Sequence, residues 1–484
     1  MAPTDARKWL KPTLFGVGLI TALRILALWG SPTDLYVDES QYWIWGQSLD
    51  FGYYSKPPMI GWVLRLFDEL APARSAFTVR LPAPLFHGAT AILMAAWAQS
   101  LAPSHKLAGL WVALAYLSLP IVAVGSFLIS TDTIMAPFLV GALIMYWRLC
   151  AADATRHALL GGILLGAAFL SKYAAIYFLP CALLAYVIYP SMRPRLGSLA
   201  LFFLAFIAAA SPNILWNIAN DLTTVNHTMD NAAWLKSDSA SANLSLARMI
   251  EFAASQFMVI GPVFMVFWLL ALRGLTTSRQ RALLWFSVPV WTIVLLQALL
   301  SRAYANWAFA AIPPATIAAI LWALESRRVR ALRLGFAFNL IICLTLSLIT
   351  LFPTWVKDGN GNVLAKRYVN VANITHEAMA VAVENNVNTI VALNRGILAD
   401  FFFTGADSDF QFYSLPTQNL PRHYYQQKKS LPPEVKGRVL YVAHNTDFKC
   451  EGVSVTPVAT LKQDIGSWAN ARLPAYIVDA ECFR

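Results

Sequence analysis

Residues 12–45 read PTLFGVGLITALRILALWGSPTDLYVDESQYWIW. The apolar run 13–30 is long enough for a helix to cross the hydrocarbon core of a bilayer, and it leads directly into a polar loop. With no convincing small-residue cleavage site, it reads as a retained first span rather than a removed leader. Just beyond it, Asp38 and Glu39 stand side by side among Tyr36, Tyr42, Trp43 and Trp45. Adjacent carboxylates in apolar surroundings raise each other's pKa, which makes the pair a candidate proton acceptor. The same acids also suit the first turn of a helix. The placement of the chain's other charges bears on that choice.

The 484 residues are 58% hydrophobic and 13% charged, with a mean hydropathy of +0.54. That composition excludes an ordinary soluble domain and indicates a polytopic membrane protein. A net charge of +11 invites thought of nucleic acid, but the basic residues fall in short loops between apolar runs, as topology signals do, so no nucleic-acid partner is expected. Runs of roughly 18–22 apolar residues give about eleven candidate spans: 12–30, 79–102, 107–127, 131–149, 156–171, 173–190, 197–216, 253–273, 283–301, 304–325 and 332–354. With the N-terminus inside, the cytoplasmic segments hold fifteen cations against three acids, and the membrane loops of the opposite face hold eleven acids with eight cations. This is the positive-inside pattern, and it puts the Asp38-Glu39 loop outside. The expected fold is an all-α polytopic membrane domain over 1–355, with helices lying along the interface in the first external loop. A small extracytoplasmic α/β domain follows over 356–484.

That C-terminal region carries a helix pattern over 371–386 and β-like runs at 389–393, 438–442 and 475–478. It has no nucleophile, phosphate-loop or metal motif, so a binding or covering role is expected of it. Cys450 and Cys482 lie there and can form a disulfide in an oxidising compartment; Cys150, Cys181 and Cys343 lie in or beside apolar runs and read as packing residues.

The external connections are poor in charge except for single residues in apolar settings: Asp132, Lys172 and Arg302. Taken singly, Lys172 or Arg302 reads equally well as a snorkelling anchor. Three of them on the same face as Asp38, Glu39 and Lys56 suggest a shared site. Lys56 precedes Pro57-Pro58, which stiffen the backbone, and a cation held on such a loop suits an anionic ligand such as a phosphate. An ordinary ion pair with the nearby acids would use it too. Most loop aromatics read as an interfacial belt, with Tyr42, Trp43 and Tyr54 available to stack on a sugar, together with His227 from the polar segment 217–252. The length and polarity of 217–252 suit a mobile loop near a substrate. No internal repeat is visible, which weakens the transporter alternative.

Several motifs carry a family resemblance. Asp38-Glu39-Ser40-Gln41-Tyr42-Trp43, Tyr53-Tyr54-Ser55-Lys56-Pro57-Pro58-Met59-Ile60-Gly61-Trp62, Arg80-Leu81-Pro82 and Ser130-Thr131-Asp132 are similar to segments of the GT-C glycosyltransferases. Further matches are Leu170-Ser171-Lys172-Tyr173, Pro212-Asn213-Ile214-Leu215-Trp216-Asn217 and Ala305-Asn306-Trp307. The nearest branch is the bacterial one that includes protein O-mannosyltransferases, the lipid A aminoarabinose transferase and the rhizobial lipopolysaccharide galacturonosyltransferases. The resemblance spans residues 10 to about 320 and is most specific in the first loop. It implies transfer of a sugar from a polyprenyl-phosphate donor to a glycolipid or protein acceptor on the periplasmic face of a bacterial inner membrane, with inversion. Asp38 then matches the catalytic base, with Glu39 beside it. Asp132 matches a second acidic position, and Lys56 the lysine before the paired prolines. Lys172 and Arg302 are further candidates for the donor phosphate. A flippase of lipid-linked sugars is the alternative. No cofactor is required by the sequence. The aminoarabinose branch has an acid where this chain has Ser55, which places a divalent metal in doubt, although Asp38, Asp132 and His227 are the side chains that would hold one.

Overall fold

The computed structural model describes residues 8–231, 244–444, 448–450 and 452–484. The chain divides into two compact units. The first comprises the segment up to Trp29, Asp50–Ile60 and Arg80–Ser347; the second comprises Gly30–Leu49, Gly61–Val79 and Leu348–Arg484. Most of the first loop thus groups with the C-terminal sheet in the second unit, which takes up the chain again at Leu348, close to the boundary expected at 355.

Every expected span corresponds to a helix or a helix pair. Seven helices are long and apolar enough to cross a membrane, among them Leu10–Trp29, Thr131–Ala152, Leu196–Ala219 and Val329–Leu351. Two more candidates are bent pairs, Ala108–Ser118 with Pro120–Phe127 at 63°, and Leu246–Ile260 with Pro262–Gly274 at 108°. The remaining two are shorter apolar helices, Thr155–Ser171 and Tyr173–Ile188. The sharp bend has a local cause: Gly261 takes φ 93°, a conformation that L side chains rarely adopt, and Pro262 starts the next helix. Asn339, 1% exposed, donates to the Ile260 carbonyl at 3.0 Å, which satisfies backbone freed by the break.

The two ends of this bundle differ. At one, Gln280 donates to the Leu101 carbonyl at 3.3 Å and to Glu325 at 2.7 Å, and Arg195 pairs with Asp153 at 3.0 Å. At the other, Lys172 and Asn306 converge on Asp132, and the Ser245 amide donates to Leu299.

In the second unit a five-stranded mixed sheet runs in the order Gln411–Ser414, Thr389–Ala392, Arg438–Val442, Leu473–Asp479, Ala459–Leu461. The first three strands are parallel and the last two antiparallel to their neighbours. Thr389–Ala392 is buried at every position, as expected of a central parallel strand covered on both faces. Cys450 and Cys482 form a disulfide. The helix Ala372–Glu384 is anchored to the first loop, because Asp34 accepts from the Val371 amide at 2.6 Å. The expected helix over 371–386 and three of the five strands are thus present, slightly trimmed or extended.

Asp400 lies in the helix Arg395–Thr404 at 6% exposure, accepting from the hydroxyls of Thr375 and Thr404. Burial pushes its carboxyl up to about 6, against the pull of those two hydrogen bonds. A carboxyl raised in the folded state contributes stability when protonated and loses it as pH rises from about 4 through 6. At one pKa unit per 1.36 kcal/mol, the loss is on the order of 2–3 kcal/mol. Asp400→Asn should therefore raise the melting temperature at pH 7.5 and flatten its pH dependence between 4.5 and 7.5; unchanged melting at both pH values would remove Asp400 from this role.

Candidate active site

In the first unit, Asp132 occupies the first turn of Thr131–Ala152, whose start is capped by the Ser130 hydroxyl accepting from the Thr133 amide. A carboxylate there gains from the helix dipole. Lys172, the residue that ends Thr155–Ser171, reaches both Asp132 oxygens at 2.6 and 2.7 Å, and Asn306 donates to one of them at 3.0 Å. The carboxylate side chain is 8% exposed and the ammonium 18%. Two of the residues expected at a shared site are thus brought together as a mutually neutralising pair.

The next residue, Tyr173, extends the network. Its hydroxyl donates to Asn213 at 2.9 Å and accepts from Asn217 at 3.1 Å, both on Leu196–Ala219. Asn213 in turn donates to the Phe51 carbonyl at 2.6 Å, and Thr224 donates to the Tyr53 carbonyl at 2.6 Å. Between these bonds lies Gly52, where a Cβ would stand 2.2 Å from the Trp216 ring. The loop that carries Tyr54 and Lys56 is therefore fastened to the helix end that carries Asn213, Trp216 and Asn217. Sequence motifs 160 residues apart are parts of one junction. Tyr54 packs its ring 4.9 Å from His227. His227 sits in the helix Thr223–Asn231, a correction to the mobile loop expected over 217–252; residues 232–243 of that segment lie outside the described residues. Arg302 is exposed, lies 4.5 Å from the Tyr304 ring, and makes no ion pair among the described residues.

In the second unit, Asp38 and Glu39 begin the helix Val37–Gly46 and differ in environment. Glu39 is 2% exposed and accepts from the Tyr36 amide at 3.0 Å, closing the helix start. Asp38 is 43% exposed at its side chain; Arg395 donates to its Oδ1 at 2.5 Å and to Gln41 at 2.8 Å. Oδ2 of Asp38 has no partner among the described residues. Burial works against the Arg395 charge, and the neighbouring Asp38 carboxylate more than offsets it, holding the guanidinium above its usual range. Arg395 was missed in the sequence, although its context is recognisable: the strand Thr389–Ala392 ends, Asn394 caps the following helix, and Arg395 is its first residue. Such strand-to-helix junctions commonly carry function.

Tyr42 and Trp43, expected at a sugar, are packing residues here, 6% and 5% exposed. Tyr42 packs on Trp45, and Trp43 donates to Asp68 at 3.0 Å with its ring covered by Phe403 and Arg74. The physical reason is that helix Val37–Gly46 must bury its aromatic face against the rest of its unit. Among the described residues, no three of His, Cys, Asp and Glu are grouped to hold a metal ion.

The second unit also contains a groove of about 920 Å³ lined by Lys357, Lys366, Arg472, His444, Trp468 and Asp464. Val363, on its wall, belongs with Ala365 and Val369 to an apolar cluster against which Ile349 and Tyr368 of the same unit pack. Trp355 nearby, 73% exposed and stacked on Phe352, has the character of an interfacial anchor.

Comparison with known proteins accords with this arrangement. The family described as dolichyl-phosphate-mannose-protein mannosyltransferase matches over residues 55–216, a stretch that includes Lys56, Asp132 and Lys172. A lipid A galacturonosyltransferase of Rhizobium johnstonii, RgtD, is 36% identical over 466 residues, 96% of this chain and 97% of its own. The crystal structure of ArnT from Cupriavidus metallidurans bound to undecaprenyl phosphate shares the fold with a TM-score of 0.64 at 12% identity, over 97% of this chain and 98% of that one. The apo form of the same protein gives 0.59 at 12% identity, over 88% and 92%.

The Asp132–Lys172 pair yields a direct test. Lys172→Met leaves a nearly buried carboxylate without its cation and should destabilise the protein by about 3 kcal/mol. Combining it with Asp132→Asn removes the uncompensated charge and should recover most of that loss. Thermal melting of the two single variants and the double variant in detergent measures the coupling; additive losses would show that the pair is not structural.

Proposed function

The chain belongs to the GT-C glycosyltransferase superfamily, and we propose that it transfers a sugar from a polyprenyl-phosphate donor to a lipid A-type acceptor with Asp38 as general base. The observation that carries the assignment of the base is the asymmetry of the Asp38 carboxylate, one oxygen held by Arg395 and the other open. The open carboxylate oxygen takes the proton of the acceptor hydroxyl as the hydroxyl oxygen attacks the anomeric carbon; the bond to the lipid phosphate breaks on the opposite face, giving inversion. Arg395 keeps the carboxylate oriented, and Glu39 holds the helix start that presents it.

The leaving lipid phosphate needs positive charge, which Lys56 and Arg302 supply. The Asp132–Lys172 pair is a reserve of the same kind: a phosphate arriving beside Lys172 competes with Asp132 for its ammonium. The extensive similarity to a lipid A galacturonosyltransferase supports a uronic acid as the transferred sugar and lipid A as its acceptor. The cationic groove lined by Lys357, Lys366 and Arg472 supports an acceptor with anionic groups. In this reading the protein is a multi-pass protein of a bacterial inner membrane with the sheet unit in the periplasm. The Cys450–Cys482 disulfide, at home in an oxidising compartment, supports that side.

Two outcomes are expected from purified protein with a polyprenyl-phosphate uronic acid donor and lipid A. Asp38→Asn abolishes transfer while donor binding and folding stay near wild type, and Lys56→Ala weakens donor binding as well as transfer. Full transfer by Asp38→Asn would remove the assigned base. Mass profiling of envelope glycolipids with and without the protein identifies the sugar and acceptor; an unchanged lipid A fraction would exclude that acceptor.

A further inference from the structure

The first unit holds a second cavity, of about 680 Å³, bounded by Pro82–Leu101, Thr131–Ala152, Thr155–Ser171 and the start of Ser278–Trp285. It lies toward the far end of the helix that begins at Asp132: Arg148, at its mouth, is sixteen residues further along, about 24 Å at the α-helical rise. Leu93, Pro137, Ile144, Met145 and Leu164 make its inner walls apolar. Arg148, Arg279, Thr277 and Ser278 make its mouth polar and cationic.

Neither arginine is in an ion pair among the described residues; Arg148 is exposed and Arg279 half-buried. Two tryptophans on the wall add an independent observation. Trp97 and Trp147 are 3% and 4% exposed, touch edge to face at 4.9 Å, and their indole N–H groups have no hydrogen-bond partner among the described residues. A buried donor without an acceptor is costly, and native proteins seldom leave one so. Both nitrogens are closed off from the cavity itself, so it is the two guanidinium groups at the mouth, above an apolar depth, that mark a place short of anionic oxygens.

We propose that this cavity is a binding site for an anionic phospholipid of the leaflet at the arginine-bearing end of the bundle, with the phosphate between Arg148 and Arg279 and an acyl chain along the apolar wall. The chemistry favours this occupant over others. A free phosphate has no use for the apolar depth, and a zwitterionic lipid brings its own cation to two arginines. The bound lipid would join the helix that begins at Asp132 to Ser278–Trp285 and thereby stiffen it. The inference is independent of the transferase reading, and its readouts do not use activity.

The test uses the full chain, purified in detergent and stripped of lipid, with melting followed in added phosphatidylglycerol, phosphatidylcholine or inorganic phosphate, and with retained lipid counted by native mass spectrometry. Phosphatidylglycerol should raise the melting temperature at least twice as much as phosphatidylcholine, by mass action on the folded state, and inorganic phosphate should leave it unchanged. Arg148→Gln with Arg279→Gln should abolish the excess and the retained lipid. Arg328→Gln with Arg330→Gln, which removes two cations that do not line the cavity, should keep both. Ala96→Trp, at an exposed position on the cavity wall, leaves the arginines intact but fills the chain's path, and should abolish the effect too. Equal shifts with both lipids, a shift with phosphate alone, persistence in the Arg148/Arg279 or Ala96→Trp variants, or loss in the Arg328/Arg330 variant would each overturn the proposal.

Discussion

A bilayer offers no water to an unpaired polar group, and that constraint organises the first unit. Several polar side chains inside it meet partners within the bundle. Arg24, 7% exposed in the first helix, donates to the Ser126 hydroxyl at 2.9 Å and to the Leu117 carbonyl at 2.5 Å. Asn339 answers the carbonyl freed at the Gly261 break, and Gln280 joins Leu101 to Glu325. The Asp132–Lys172 pair obeys the same rule with full charges, each largely buried group meeting its counter-charge.

The second unit solves a different problem. It has few residues with which to build a core, and it recruits the first loop to do so: Trp43 packs on Phe403, Trp45 on Tyr424, and Asp34 caps the start of Ala372–Glu384. A consequence is that the helix presenting Asp38 is held by its own buried aromatic face. Such support fixes the direction in which the carboxylate is presented. Glu39 contributes by closing the helix start, and Arg395 by fixing one oxygen while leaving the other open.

Residue pattern alone read the spans well, since eleven apolar stretches became seven helices, two bent pairs and two shorter helices. Hydrophobicity is a local property, and length in a bilayer is set by a fixed thickness, so both are written along the chain. The breaks at Gly261 and Leu119 were not legible, because a Gly-Pro or Leu-Pro pair inside an apolar run does not say whether neighbours such as Asn339 will satisfy the freed backbone. Asp38, Lys56, Asp132 and Lys172 stood out as charges in apolar settings, whereas Arg395 did not, being one cation among many in a polar region. The burial of Trp43 was hidden for a related reason: an aromatic in a polar loop looks available until a packing partner such as Phe403, hundreds of residues away, is in place.

The sequence by itself determined the membrane class, the sidedness signal, the acidic dipeptide and the presence of a small sheet region after the last span. These follow from composition, period and the local sign of charge. Only the tertiary structure decided that Asp38 and Glu39 have separate partners and exposures, that Lys172 neutralises Asp132, and that Gly52 must be bare to lie on Trp216. The reason is physical: each of these depends on which atom of a distant residue fills the space or completes the hydrogen bond, and that partner is chosen by packing rather than by proximity along the chain.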